Sequence, residues 1–299
     1  MTEYDAAESD IDAELIGERR QLLSLAFRML GTLTEAEDAV QETYVRWYRM
    51  AQADRDRVDV PAAWLTRAAS RICLDMLGSA RARRECYVGP WLPEPLPVST
   101  FASLPVDPLD RVTLDDSVST ALPLVLELLT PAERVVFVLH DVFAVPFAEI
   151  AEIVGRSPAA CRQLATSARA RVQMQKTRDV PRPEHDRVVR AFAEANRSGD
   201  LLSLIRTLDP NVVLSSDGGG RVSAARHPVS GADRVSRFLL GVLSKGGGVD
   251  VLEQQTNDGL GFALWREGRI VGVVTLEVGA GLVTNVRMVL NPDKLTLWN

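Results

Sequence analysis

The sequence predicts a multidomain chain, two all-α helical modules followed by a C-terminal α+β domain. Three observations carry that expectation. Residues 11–88 and 109–178 place apolar side chains at helical spacing behind clear helix-start signals. Between them, residues 89–108 hold Pro90, Pro93, Pro95, Pro97, Pro105 and Pro108, a density that cannot sustain a helix and makes an extended, semi-rigid linker. Residues 184–299 change to alternating apolar segments separated by glycine-containing turns.

In the first module, Thr34 and Glu37 have capping-box spacing and open a helix that runs to about Ala51. A second helix starts after Pro61 and continues to about Arg84, with Trp64, Ala68, Ile72 and Leu77 as its apolar stripe. In the next module, Thr130, Pro131 and Glu133 combine an N-cap, a first-turn proline and a capping glutamate. Two short helices follow. Pro146 begins one, whose inner face is Ile150, Ile153 and Val154, and Gly155 permits the tight turn. Ser157 caps the other, with Pro158 in its first turn.

Pro181 and Pro183 mark the next boundary. One or two helices are expected at about 185–207, then strands at 211–216, 249–255, 260–266, 269–278 and 281–290. A helix at about 231–244 interrupts them, and Glu267-Gly268 and Gly279-Ala280-Gly281 read as hairpin turns. The expected sheet is antiparallel and strongly curved or twisted.

Composition narrows the functions. The chain has 299 residues, 46% hydrophobic and 25% charged, which suits two or three folded units. No apolar run approaches the ~18 residues of a membrane span. Residues 1–18 hold seven carboxylates and no Lys or Arg, unlike a secretory leader, so a cytoplasmic protein is expected. Cys73, Cys86 and Cys161 lack metal-ligand spacing and fit reduced, mostly buried thiols. No metal or cofactor is expected. Lysine occurs only at 176, 245 and 294, so arginine carries most of the positive charge.

The formal net charge is -6, yet residues 156–187 hold eight basic side chains against three acidic ones. Within that stretch Cys161, Leu164, Ala168 and Val172 share one side of a helix, and Arg162, Gln163, Thr166 and Arg169 the other. A helix with one packed face and one Arg/Gln/Thr face is what a major groove accepts, so Ser157, Arg162, Gln163, Thr166 and Arg169 are the candidate DNA contacts here.

This helix-turn-helix, preceded by LTPAERVVFVLHDVFAVPFAEIA, resembles region 4 of a bacterial sigma factor. The segment LLSLAFRMLGTLTEAEDAVQETYVRWYR (22–49) resembles sigma region 2, whose AEDAVQET helix binds the clamp of RNA polymerase. AAWLTRAASRICLDMLGSARARRE (62–85) resembles the helix that reads and melts the minus-ten promoter element. Two modules joined by a linker match the extracytoplasmic-function (ECF) type. WLPEP (91–95), DGGGR (217–221) and NPDKL (291–295) resemble hallmarks of an ECF subgroup with a fused SnoaL-like, ketosteroid-isomerase-like α+β cone domain.

The resemblance implies roles. Core RNA polymerase and promoter DNA are the partners. Asp38, Gln41 and Glu42, which share one helix face, would meet the clamp. Arg67, Arg71, Arg81, Arg83 and Arg84 would line the path of the melted strand, and loop 52–61 the pocket of a flipped base. Trp64 is expected in the core. Trp91 and Leu92 are apolar on a proline-rich strand, which suits docking on a partner surface such as the C-terminal domain. That domain would pack on region 2 and the linker, with Asp217, Gly218, Gly219, Gly220 and Arg221 at one contact and Asn291, Pro292, Asp293, Lys294 and Leu295 at another. A small-molecule ligand in it stays open. Two departures from the family pattern are Arg71, where many members carry Asn, and Cys161, in a slot more often Val.

Two other readings remain. One is a ligand-sensing helix-turn-helix repressor that acts without polymerase. The other is an enzyme fused to a DNA-targeting module, for which Asp217 and His227 are the only acid/base candidates and form no constellation. A regulatory, non-enzymatic domain is therefore expected, with His140 and His185 structural.

Overall fold

The computed structural model describes residues 18–85, 87–97, 126, 128–175, 180–245, 248–256 and 258–299, with side chains 80–85, 174–175 and 243–245 excepted. The expectations on residues 11–17 and 98–125, on Cys86 and Lys176, and on the side chains of Arg81, Arg83 and Arg84 lie outside the described residues. The chain forms two compact units, one of Met1–Arg83 with Leu122–Gln175, the other of Arg84–Ala121 with Lys176–Asn299. The linker thus groups with the C-terminal domain.

The first unit is all helical. Helix α1 covers residues 18–30 and buries Leu22, Leu25, Ala26, Met29 and Leu30. Helix α2, Leu33–Arg49, is capped by Thr32, whose hydroxyl accepts from Glu35 N, rather than by Thr34. Both threonines have a glutamate three positions on. The helix buries Ala36, Ala39, Val40, Thr43 and Trp47 on one face. After the single turn α3 (Gln52–Arg55), helix α4 runs Pro61–Glu85. Its buried stripe is Leu65, Ala69, Ile72, Cys73 and Leu77, one position round from the expected one, with Trp64 half-buried against Trp47 at 5.1 Å between ring centroids.

Helix α5 (Pro131–Phe137) starts on a complete capping box between Thr130 and Glu133 and passes into a π-helical turn, Val138–Val142. The π turn and left-handed Ala144 (φ 54°) redirect the chain into α6, Phe147–Val154. Gly155, left-handed at φ 68°, ends α6, and α7 (Pro158–Gln175) begins on Ser157, whose Oγ accepts from Ala160 N at 3.2 Å. Arg134 ties the modules together from a buried position. It donates to Met29 O and Leu126 O, both at 2.9 Å, and so satisfies carbonyls at helix ends. Arg28 lies 5.3 Å from the Phe143 ring, and burial lowers its guanidinium to about 10.

Glu133 is the polar centre of this module. Its carboxylate accepts from Thr130 N and Thr130 Oγ1 (2.9 Å each), Ser167 Oγ (2.8 Å) and Arg171 Nη1 (2.9 Å), joining α5 to α7. Burial alone would raise its pKa. The hydrogen bonds from Thr130 and Ser167 and the charge of Arg171 outweigh burial and hold it below the usual carboxylate range. A depressed carboxyl stabilises the fold above its unfolded value of ~4.3, and this is lost as pH falls through the lower folded value. Glu133→Gln should therefore cost about 2 kcal/mol near neutral pH and flatten the acid limb of stability. Hydrogen exchange of residues 128–175 against pH measures both effects.

In the second unit, helices α8 (Arg182–Ser198) and α9 (Leu201–Thr207) precede strand β1 (Leu208–Asp217). The short strand β2 (Val229–Ser230), unexpected from the sequence, and helix α10 (Ala232–Lys245) follow. Then come β3 (Asp250–Thr256), β4 (Gly259–Arg266), β5 (Arg269–Gly279) and β6 (Leu282–Val289). The sheet order is β2-β1-β6-β5-β4-β3. It is mixed rather than antiparallel throughout, because β1 pairs parallel with β6. The intervening chain carries α10 and the β3–β5 meander, and β6 then returns to lie beside β1. Register shifts at Leu208/Val213, Leu264/Trp265 and Glu277/Val278 bend the sheet. Both hairpin turns have two residues at positive φ, Glu267-Gly268 and Ala280-Gly281, as tight right-twisted hairpins require. Helices α8 and α10 pack Val189, Phe192, Val235 and Leu239 against Val274, Val286 and Met288 of the sheet.

Candidate functional site

The DGGGR, NPDKL and WLPEP strings, far apart in sequence, meet at one buried place. Asp217 ends β1 with none of its surface exposed. Its Oδ1 accepts from Tyr87 Oη (2.6 Å) and Gly219 N (3.0 Å), and its Oδ2 from Leu92 N (2.9 Å) and Lys294 Nζ (2.7 Å). Its carbonyl accepts from Leu290 N and Asn291 N, which fastens the start of NPDKL to the end of β1. Lys294 Nζ also donates to Leu92 O and sits 4.1 Å from the Trp91 ring centroid. Asn291 Nδ2 donates to Tyr87 Oη at 3.0 Å. Trp298 Nε1 donates to Pro95 O at 2.7 Å, and Pro97 bridges Thr256 at the end of edge strand β3. Residues 92–97 are buried in this grip.

Each predicted contact residue has a definite place here. Gly219, at φ 62°, comes so close to Asn291 that a Cβ would lie 2.5 Å from its amide. A Cβ on Gly218 would lie 2.5 Å from Val222 O. Gly220 faces Val88. Arg221 pairs with Asp293 at 3.0 Å on the exposed rim. Pro292 opens the short 3-10 turn that presents Lys294, and Leu295 is buried beside it. Sequence reasoning missed Tyr87, Pro97 and Trp298. Burial first, and then the hydrogen bond to Asp217, push the Tyr87 phenol well above the usual tyrosine value. With the folded value raised, its contribution to the grip is complete below ~10 and fades only as pH rises beyond that.

Asp217 and His227 do not form an acid/base pair. The Asp217 carboxylate is consumed by the donors above, and His227 is exposed. His185 is buried between Leu276 O (3.0 Å) and Asp186 (3.2 Å), and His140 packs on Phe147.

In the first unit, Arg162, Gln163 and Thr166 stand exposed on α7, while Cys161, Ala165 and Ala168 are buried and Leu164 and Val172 half-buried. Arg162 lies 5.7 Å from the Phe147 ring. Arg169 is half-buried and bound to Asp141 at 2.6 Å, so it fixes the helix as well as facing outward. On α2, Asp38 and Gln41 are exposed and Glu42 pairs with Arg46 at 3.0 Å. Arg67 on α4 pairs with Glu152 (3.2 Å) and Glu149 (3.9 Å) of α6, and shares a crevice of about 400 Å³ with Trp64, Arg71 and Glu152. These exposed pairs contribute ~0–1 kcal/mol each.

A helix-turn-helix module, a second helical module and a linker held by an α+β domain define a bipartite DNA-binding transcription protein. The family models for Sigma-70 region 2 and Sigma-70 region 4 match residues 15–83 and 119–172. The chain is 44% identical over 231 residues to the ECF RNA polymerase sigma factor SigJ of Mycobacterium tuberculosis, covering 77% of this chain and 72% of that one. It is 38% identical over 299 residues to the "Probable ECF RNA polymerase sigma factor SigI" of the same species, covering 99% and 97%. The crystal structure of the M. tuberculosis SigJ matches with a TM-score of 0.72 at 36% identity, over 95% of this chain and 98% of that one. The chain belongs to the ECF RNA polymerase sigma factors. It binds core RNA polymerase and directs promoter recognition and transcription initiation. The repressor reading is not favoured, since a helix-turn-helix acting without polymerase has no use for region 2.

Proposed function

We propose that this sigma factor is regulated by its own C-terminal domain, which holds or releases the WLPEP segment of the linker. The supporting observation is the buried Asp217–Lys294 pair, whose charged atoms take both Leu92 N and Leu92 O as partners. In sigma factors this linker threads the polymerase interior, so a segment held by the C-terminal domain is withheld from polymerase. The division is region 2 at about 11–88, linker 89–108, region 4 at about 109–178 and a SnoaL-like domain at 184–299. That domain acts as a regulator without turnover. The Asp217 carboxylate supports this, because Tyr87, Gly219, Leu92 and Lys294 take it up to hold the linker.

Asp38, Gln41 and Glu42 meet the polymerase clamp. The exposed Asp38 and Gln41 and the half-exposed Glu42 carboxylate, on one face of α2, support this. Arg162, Gln163, Thr166 and Arg169 read the minus-thirty-five element from α7, with Ser157 at its N-terminus, and Arg67, Arg71, Arg81, Arg83 and Arg84 guide the melted strand. Polymerase supplies the nonspecific attraction, so an acidic protein needs no general affinity for DNA. The protein works in the cytoplasm with polymerase. Among the described residues no helix is long and apolar enough to cross a membrane.

Two measurements test this. The Asp38→Arg/Glu42→Arg variant should bind core polymerase at least ~10-fold more weakly, through loss of interfacial charge pairs. Unchanged co-migration removes Asp38 and Glu42 from the interface. Run-off transcription should change when residues 184–299 or only 291–299 are removed. If both truncations leave it unchanged, the regulatory reading is wrong.

A further inference from the structure

The C-terminal domain contains a cavity of about 950 Å³ between α8, α10 and the concave face of β4–β6. Its interior is apolar, with Phe192, Leu239, Phe262, Val274 and Met288 deep in it. The only ionised side chains among the described lining residues are Arg266 and Arg269. They are cross-strand partners either side of the Glu267-Gly268 turn, both exposed, and neither forms an ion pair among the described residues. Two like charges face each other there across the hairpin. Inside, Asn196 Oδ1 is shielded from solvent and has no hydrogen-bond partner. An apolar enclosure of this size with convergent polar groups is the form of a small-molecule site.

The cavity wall is also part of the linker grip. Leu290, Pro292 and Leu295 line the cavity, while Asn291 and Lys294, between them in sequence, reach Tyr87, Asp217 and Leu92. One short segment therefore turns one set of side chains to the cavity and the other to the linker.

We propose that this cavity binds one apolar molecule with a single anionic head group, the head lying between Arg266 and Arg269, and that occupation tightens the grip on the linker. The head-group assignment follows from charge complementarity. The coupling follows from the shared wall, because a ligand that packs on Leu290 and Leu295 stabilises the arrangement in which Lys294 holds Leu92. Linkage makes the effect reciprocal, so releasing the linker weakens the ligand by the same factor. Only the coupling rests on the regulatory reading above.

The test uses the full chain with 1-anilinonaphthalene-8-sulfonate as fluorescent probe and dodecanoate as competitor. Dodecanoate should displace the probe at a single site, and dodecanol should be roughly tenfold weaker or worse, because it lacks the charge. Arg266→Glu/Arg269→Glu, on exposed and unpaired side chains, should weaken dodecanoate by at least ~10-fold with the circular dichroism spectrum unchanged. Leu264→Trp should block both ligands by filling the cavity. Lys294→Met, outside the cavity lining, should weaken dodecanoate several-fold, and dodecanoate should slow hydrogen exchange at Leu92. Equal displacement by dodecanol, or full affinity in the double glutamate variant, overturns the site. Selective binding that Lys294→Met leaves untouched overturns the coupling. Neither result depends on transcription, so each is distinct from failure of the truncation assay.

Discussion

Lys294→Met is expected to free the 87–97 segment and raise amide exchange at Leu92 by roughly two to three orders of magnitude, the equivalent of ~3–4 kcal/mol. The magnitude follows from burial. Lys294 and Asp217 side chains are 8% and 0% exposed, and removing one partner leaves the other ionised without water or counter-charge. Tyr87, Leu92 N and Gly219 N remain on the carboxylate but carry no full charge. Asp217→Asn/Lys294→Met should recover much of the loss, because the stranded charge is gone, and the double-mutant cycle should give a coupling above ~1 kcal/mol. Gly219→Ala should reach the same released state by a different route, since its methyl would meet Asn291 at 2.5 Å on a left-handed backbone. In run-off transcription the released variants should exceed the parent, because the segment becomes available to polymerase. Exchange at Leu92 that stays at the parental rate in Lys294→Met means that the pair does not hold the linker.

The helical modules were largely legible because helix signals are local. Thr130-Pro131-Glu133 and Gly155-Ser157-Pro158 fix starts and stops within a few residues, and both behave as expected. The misplaced cap on α2 marks the limit. Thr32 and Thr34 both have a glutamate three positions on, so the capping-box spacing alone does not decide between them. The parallel β1–β6 pair was invisible for a related reason: alternation identifies strands but not their partners. The grip on the linker was half legible. Its three strings were recognised, but their meeting at Asp217 depends on contacts across 77 to 204 residues. One further signal sets Lys294 apart within NPDKL. In a chain that prefers arginine, a lysine marks a place where a compact ammonium fits and a broad guanidinium does not. Here Nζ lies among Leu92 O, Asp217 Oδ2 and the Trp91 ring. Tyr87 and Trp298 had no such signal, since an aromatic residue near a proline-rich run reads as ordinary packing.

Promoter recognition should fail selectively when the exposed face of α7 is stripped. In Arg162→Ala/Gln163→Ala, occupancy of a minus-thirty-five element should fall by ~10- to 100-fold, because a bidentate side-chain–base contact contributes ~1–3 kcal/mol. Folding should hardly change, since both side chains are exposed and the packed face of Cys161, Ala165 and Ala168 is untouched. Arg169→Ala should behave differently. Its guanidinium is bound to Asp141 at 2.6 Å, so its loss also loosens α7 against the π turn and should lower thermal stability of region 4. Salt dependence separates base reading from phosphate contact. A lost phosphate contact reduces the slope of log affinity on log salt by ~1, whereas a lost base contact lowers affinity with little change in slope. Arg162 poised over Phe147 is held near the start of α7, the end that enters a groove first. It should therefore report base contact, with relaxed discrimination at one position of the element. Core binding by the same variant should match the parent, because the proposed polymerase face is on α2. Full promoter occupancy by Arg162→Ala/Gln163→Ala would move DNA reading off this helix face.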